Sequence, residues 1–413
     1  MTAFACRFCA APVDVARDTF VDLGAAPPSN AFRREEDRDT PEATFPLRTV
    51  VCPACRLVQV VEAPPHDALF TADYVYHSSV AASWLAHARR YVAAVTERLG
   101  LGRDQLVIEV ASNDGYLLQY VRERGIRCLG IEPTASTARI ARDRGVETVE
   151  LFLGRDTARA VVSTTGPADL VVANNVLAHV PDLRDFTAGI ATLLAPGGTV
   201  TFEFPHLVRL VVDAQFDTIY HEHFSYLSLH VVEQVLATAG LAVWDVEQLP
   251  THGGSLRVWA QHATHDRART DRVDAIRELE HLVGIADDPF YRALQPRAER
   301  IRDESLAFLR RCRDEGARVV GYGAAAKGNT FLNFAGVGRD LLPWVADASP
   351  HKQGLFLPGS GIPVVPPERL FAERPDYVLL LPWNLADEFT KSLAYVRDWG
   401  GRFVTCIPEL RVS

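Results

Sequence analysis

Leu106-Val107-Ile108-Glu109-Val110-Ala111-Ser112-Asn113-Asp114-Gly115-Tyr116 decides the fold. The first five residues form a short apolar run that ends abruptly in small and polar residues, which reads as a buried strand. A parallel strand that stops in a small-residue loop and opens a helix is a nucleotide-type site, with the ligand at the carboxyl end of the strand.

The same rhythm continues outward. Cys128–Glu132, Ala168–Ala173 and Thr199–Phe204 read as further strands with helical stretches between them, which is the βαβ pattern of an open parallel sheet. Leu241–Val246 and Leu256–Gln261, joined through Gly253-Gly254, suggest an antiparallel edge hairpin. Residues 266–315 are charged and helical. Ala317–Gly321, Trp344–Asp347, Tyr377–Leu381 and Arg402–Ile407 then predict a second, smaller parallel sheet. Residues 1–75 are turn-rich, show no long periodic helix and need a staple. The expected architecture is therefore α/β with three domains. A small domain spans 1–75, a Rossmann-like domain 76–265, and a second Rossmann-like α/β domain 266–413.

Composition removes several classes. At 413 residues the chain exceeds one ordinary core. A net charge of −9 argues against sequence-independent nucleic-acid binding. No apolar run reaches the roughly 18 residues of a membrane span, and Met1–Cys6 does not look like a secretory signal. A cytoplasmic monomer, off the membrane, is the expectation. Of seven cysteines, Cys128, Cys312 and Cys406 stand singly in apolar segments and read as packed thiols.

The other four form Cys6-x-x-Cys9 and Cys52-x-x-Cys55, with 42 residues between the pairs. Two such knuckles complete a tetrahedral sulfur shell suited to Zn²⁺, and four thiolates leave no open coordination position, so the metal is structural. Redox pairs are the competing reading, but neither CxxC opens a helix after a strand as a thioredoxin-type motif does.

The loop after the first central strand lacks Gly-x-Gly-x-x-Gly, so it is a poor pyrophosphate cradle. Glu132, at the end of the next strand, suits the ribose hydroxyls of an adenosine. Together these favour S-adenosylmethionine over NAD. The candidate donor-binding residues are Glu109, Ala111, Ser112, Asn113, Gly115 and Glu132, with Asn174 and Asn175 after the third strand. Tyr220-His221-Glu222-His223-Phe224-Ser225-Tyr226 is the densest acid–base cluster in the chain. A His-rich helix start or a second metal site would be the bland explanation, yet no partner ligands stand at a zincin-like spacing. Gly321-Tyr322-Gly323-Ala324-Ala325-Ala326-Lys327-Gly328-Asn329-Thr330 offers small residues, a helix start and a lysine to an anion. Asp347 and Lys352 end the next strand.

Taken in order, the CxxC pairs, Glu109–Tyr116, Asn174–Val180, the Tyr-His-Glu-His segment, His252-Gly253-Gly254-Ser255-Leu256-Arg257 and the Gly321–Thr330 loop resemble the nucleotide-sugar C-methyltransferases of antibiotic deoxysugar pathways. The resemblance covers nearly the whole chain and implies a zinc-binding domain at 1–75, a Rossmann-like class I methyltransferase domain that binds S-adenosylmethionine at 76–265 and a nucleotide-sugar-binding Rossmann-like α/β domain at 266–413. It implies a substrate similar to a dTDP-linked 4-keto-6-deoxy sugar, whose ketone acidifies the C–H bonds at C3 and C5. It also implies His223 as the base, with Tyr220, Glu222, His179 and Tyr76 assisting. Tyr322, Gly323, Ala324, Lys327, Asn329, Asp347 and Lys352 would then hold the nucleotide sugar. An O- or N-methyltransferase of another small metabolite, or a non-catalytic zinc- and nucleotide-binding scaffold, are the alternatives.

Overall fold

The computed structural model describes residues 4–37, 40–64 and 77–413. In the amino-terminal unit β1 (Phe4–Ala5) pairs with β2 (Pro12–Val13), and β3 (Thr19–Ala26), β4 (Phe45–Val51) and β5 (Val58–Val60) form an antiparallel sheet. The central unit holds β6 (Leu106–Val110), β7 (Arg127–Ile131), β8 (Thr148–Val149), β9 (Ala168–Asn174), β10 (Leu194–Pro205), β11 (Ser225–Tyr226), β12 (Leu241–Leu249) and β13 (Ser255–His262). The carboxyl-terminal unit adds β14 (Val319–Tyr322), β15 (Val345–Ala346), β16 (Val364–Val365), β17 (Tyr377–Leu380), β18 (Arg402–Thr405) and β19 (Arg411–Val412).

The central sheet runs β12-β13-β10-β9-β6-β7-β8. Strand β6 pairs in parallel with both β7 and β9, and all five of its residues are buried, which is why it reads as a continuous apolar run rather than an alternating one. From β6 the chain winds outward through β7 and β8, then returns to the other side of β6 with β9. That reversal opens a crevice at the carboxyl ends of β6 and β9. It brings the loop at 111–115 beside Asn174 and Asn175. The expected edge hairpin is present: β12 and β13 are antiparallel, and β13 lies antiparallel on β10.

The second sheet has the order β16-β15-β14-β17-β18-β19, parallel except for β19. Between the sheets the helix Leu294–Asp314 buries Leu294, Ala298, Ile301, Ser305, Phe308, Leu309 and Cys312, a stripe at helical spacing. Cys312 and Cys406 are buried thiols and Cys128 is half-buried, as expected of packed cysteines. Among the described residues no helix is long and apolar enough to cross a membrane.

One arrangement is not foreshadowed by the sequence. The amino-terminal sheet has the order β11-β5-β4-β3, so its edge strand comes from residues 225–226 of the central unit. The same apolar cluster joins Phe20, Leu47 and Val60 to Phe216 and Tyr226, and continues into Leu294, Ile301 and Phe331. Phe216 is fully buried at this meeting point and sets its ring edge-on to Phe334, with centroids 5.4 Å apart. Phe216→Ala is expected to lower stability by about 3–5 kcal/mol, read as a shift of the denaturant midpoint. A shift worth less than about 1 kcal/mol would show that this cluster does not join the units.

Candidate active site and metal centre

The two knuckles share one geometry. Ala10 N–H donates to the Cys6 carbonyl and Arg56 N–H to the Cys52 carbonyl, both at 2.9 Å, and Ala10 and Arg56 both take left-handed φ. Each turn thereby presents two sulfurs on one side. The four Sγ atoms lie within 4.8 Å of one another, with Cys6–Cys55 at 3.6 Å and Cys9–Cys52 at 3.5 Å. A tetrahedron with Zn–S bonds of about 2.3 Å has edges of about 3.8 Å, so the donor set fits zinc. Gln59 Nε2 donates to the Cys6 sulfur at 3.2 Å, and the Cys52 and Cys55 thiols draw that sulfur well below the ordinary thiol range. Zinc here staples the amino-terminal unit and touches no reacting group.

The loop after β6 makes its turn with a single glycine. Ala111, Asn113 and Gly115 have φ of +54°, +48° and +77°. Two non-glycine residues in that region are held there by their surroundings. Asn113 N–H donates to Glu132 Oε2 at 2.9 Å, Thr134 N–H donates to Glu132 Oε1 at 2.9 Å, and Asn113 Oδ1 accepts from Ser78 N–H at 2.9 Å. The Glu132 carboxylate is thus aimed by backbone donors, and each oxygen keeps acceptor capacity for a ribose hydroxyl. Burial raises its pKa, opposed by those two N–H groups. Ser112 Oγ crowds Gly130, where an added Cβ would lie 2.4 Å from it. Asn174 Oδ1, Ser112 Oγ and both oxygens of Glu109 are buried without a partner in hydrogen-bonding geometry. Orphaned polar atoms around one crevice fit a polar ligand. Glu109 lies beside Tyr116, and burial raises its pKa well above the ordinary carboxylate range.

The acid–base cluster divides into two roles. His221 Nε2 faces the Phe45 carbonyl at 3.2 Å, so this imidazole is turned into the amino-terminal sheet. His223 Nδ1 lies 2.9 Å from the Thr218 carbonyl oxygen. A carbonyl only accepts, so Nδ1 carries the proton and the lone pair sits on Nε2. Burial first, and then the positive field of His179, hold this imidazole well below its usual pKa. The rings of Tyr220 and His179 lie 3.9 and 4.6 Å from that of His223, centroid to centroid. Glu222 is buried and accepts from Asn30 Nδ2 at 2.6 Å, and burial lifts its pKa to about 7 despite that donor. Tyr76, expected in the same wall, lies outside the described residues.

The carboxyl-terminal loop residues fall into separate groups of contacts. Ala324 N–H donates to Asp347 Oδ2 at 2.6 Å and Lys352 Nζ to the Ala324 carbonyl at 2.7 Å, so Asp347 and Lys352 pin the Gly323-Ala324 turn. Gly323, at φ +87°, sits against Pro382, where a Cβ would approach to 2.5 Å. Tyr322 packs edge-on to Phe389 in the second core. Asn329 Nδ2 is committed to the Ser29 carbonyl at 2.7 Å. Lys327 has separate company: Nζ donates to Asn384 Oδ1 at 2.7 Å and lies 4.9 Å above the Trp383 ring.

Several site residues escape sequence reasoning. Trp84 stacks on His87 and Tyr116 at 4.9 and 5.9 Å and meets His252 at 5.0 Å, over the donor crevice. His252 has φ +54° and lies 3.1 Å from Asn175 Nδ2, and burial, then Lys327, bring its pKa down to about 4. Glu203 is fully buried at the end of β10 and binds His87, Arg257 and Thr251. Burial opposes its ionisation, yet His87 and Arg257 bring its pKa down to about 2. The helical spacing of Trp84 and His87 is a faint signal; Asn30 carries none.

Three family profiles match in order: a zinc binding domain over residues 6–70, a methyltransferase domain over 84–246 and a C-methyltransferase C-terminal domain over 250–408. C-methyltransferase NovU of Streptomyces niveus is 38% identical over 392 residues, 95% of this chain and 93% of that one. Among solved structures, a SAM-dependent methyltransferase from Anabaena variabilis aligns with a TM-score of 0.39 and 14% identity over 49% of this chain and 97% of its own. Magnesium protoporphyrin IX methyltransferase from Synechocystis PCC 6803 aligns with a TM-score of 0.34 and 15% identity over 43% of this chain and 84% of its own.

Stripping the metal with a chelator is expected to lower the thermal midpoint by at least about 5 °C, while S-adenosylmethionine titration still shows binding; an unchanged midpoint would rule out a structural metal. Glu132→Ala should weaken S-adenosylmethionine binding at least about tenfold, through loss of one charge-assisted contact, read by calorimetric titration. Glu222 has a folded pKa raised above its unfolded value, so its contribution to stability is full below about pH 4.5 and is lost as pH rises through about 7. Thermal melts from pH 5 to 8 should therefore show wild type falling relative to Glu222→Gln. Parallel curves would refute that assignment.

Proposed function

This chain belongs to the C-methyltransferase family, and on that premise we propose that it methylates a dTDP-linked 4-keto-6-deoxy sugar at a carbon beside the C4 ketone, C3 in preference to C5. The observation that carries the reading is the His223 Nδ1–Thr218 contact at 2.9 Å. It leaves a neutral imidazole with its lone pair on Nε2, in a buried site that also holds Tyr220 and His179.

His223 Nε2 takes the acidified proton. The C–H electron pair becomes the new C=C bond and the ketone π pair moves to oxygen, giving an enolate. S-adenosylmethionine supplies a methyl group already activated by its sulfonium. Glu132, Asn113 and Asn174 orient that donor at the crevice, and the enolate carbon faces it. Because burial keeps His223 neutral, it is ready to accept a proton across the physiological range. Tyr220 and His179 pack against its ring and set its plane, and Glu222, tied to Asn30, fixes the turn that carries it.

Gly323 and Ala324, pinned by Asp347 and Lys352, would receive the nucleoside diphosphate, with Tyr322 and Asn329 shaping the floor. On this reading the chain divides at about residues 75 and 265, with the donor in the central unit and the nucleotide in the carboxyl-terminal one. A neutral, carbonyl-oriented histidine favours removal of a carbon-bound proton. Transfer to oxygen or nitrogen would need no exchange at carbon.

In D₂O the enzyme should wash deuterium into C3 or C5 of a dTDP-4-keto sugar. His223→Asn should keep S-adenosylmethionine affinity and lose exchange by a factor of about 10²–10⁴, read by mass spectrometry and carbon NMR. Normal exchange in that variant would remove His223 from the role of base.

A further inference from the structure

An enolate formed in so buried a site needs a preorganised donor or positive charge facing its oxygen. Burial brings the His252 pKa down to about 4 and holds that of His223 well below its usual value, while His179 packs its ring 4.6 Å from that of His223. Lys352 donates to the Ala324 carbonyl and lies against the Phe32 ring, on the loop after β15, and among the described residues no contact ties it to the segment that carries His223.

Lys327 is placed differently. It stands in the first turn of the helix Ala326–Ala335, which packs on residues 216–218. One turn on, Thr330 Oγ1 donates to the Ile219 carbonyl at 2.9 Å. That helix face is therefore seated on the very segment whose Thr218 carbonyl orients His223. Three groups hold the ammonium in place. Asn384 Oδ1 accepts one of its protons, the Trp383 ring lies beneath it, and Trp383 Nε1 in turn donates to Asp217 Oδ2 at 2.8 Å. Trp383 also walls the loop carrying His252, because a Cβ on Gly253 would stand 2.5 Å from its ring. An ammonium has three donors, and the Asn384 bond takes one.

We propose that Lys327 is a catalytic residue that faces the developing C4 oxyanion, rather than an anchor for the diphosphate. This rests on the enolate reading above. As the ketone π pair moves to oxygen, the Lys327 ammonium stays protonated and holds that oxygen by a charge-assisted hydrogen bond. The proton lost from carbon is on His223. When the C=C pair forms the C–C bond to the methyl group, the methyl–sulfur bond breaks with its pair left on sulfur, the oxygen's pair returns to a C=O bond and Lys327 is unchanged. Burial lowers the Lys327 pKa, and the buried Asp217 carboxyl opposes that fall.

The test uses the full-length, zinc-loaded protein. Affinity for dTDP is measured by calorimetry, and C–H exchange in D₂O is measured at saturating dTDP-4-keto sugar. Lys327→Met should bind dTDP within about threefold of wild type but slow exchange and methylation by a factor of about 10²–10³, the cost of one oxyanion donor. Asn384→Leu, which loosens the ammonium without removing it, should lower kcat about tenfold, the lower part of that range, with KM little changed. A Lys327→Met protein that loses dTDP affinity a hundredfold yet exchanges at the wild-type rate when saturated would overturn the proposal. So would wild-type kcat in both variants. Wild-type enzyme that exchanges no carbon-bound proton would instead sink the enolate reading itself, whatever the variants do.

Discussion

The Thr218 carbonyl that accepts from His223 Nδ1 is the contact on which the site depends, and it is only as rigid as the segment that carries it. Residues 216–226 are gripped from three directions. Strand β11 is hydrogen-bonded to β5 of the amino-terminal sheet, Phe216 is sunk in the shared apolar cluster, and Thr330 of the carboxyl-terminal unit donates to Ile219. No unit could set this imidazole alone. The segment is a continuous stretch of backbone whose hydrogen-bonding groups are satisfied by three different parts of the chain.

That arrangement gives the distant zinc a physical connection to the chemistry. The second knuckle leads directly into β5, and Gln59 of β5 both donates to the Cys6 sulfur and stands opposite Ser225 of β11. Four sulfurs fix the knuckles, the knuckles fix β5, and β5 fixes the strand that follows His223 by two residues. The metal needs no open coordination position because its work is to hold a strand register, and a one-residue slip there would turn the side chains of β11 to the opposite face.

How much of this was legible depends on whether the cause is local. The strand at 106–110, the edge hairpin and the second sheet are set by apolar runs and turn residues, and they stand where the sequence places them. The four cysteines announce their own cluster, because two short knuckles have few other uses. The loop after β6 is harder to read: Ala111 and Asn113 adopt the left-handed backbone usually left to glycine, and Asn113 is held there by hydrogen bonds to Glu132 and Ser78 of other elements. Asn30 and Glu222, 192 positions apart, could not be paired from sequence at all. The borrowing of β11 is equally invisible, since two residues carry no periodicity. The separation of Lys327 from Lys352 depends on partners at 384 and 324 that only the packing of β14, β15 and β17 brings together.

In the proposed reaction, burial sets the electrostatic problem that the site has to solve. The same desolvation that keeps His223 a free base also makes an isolated enolate oxygen costly, because both effects come from removing water around charge. A site open to solvent would ease the second cost and forfeit the first, since the imidazole would return to its ordinary pKa and be partly protonated near neutrality. The two needs are compatible only if a positive charge is already fixed where the oxygen's charge develops, so that no reorganisation is required at that moment. A lysine braced by an amide, an indole and a buried carboxyl, on a helix seated against the base's own segment, meets that condition. Placing it on the carboxyl-terminal unit also means that the base and its counter-charge meet only when that unit is docked on the central one.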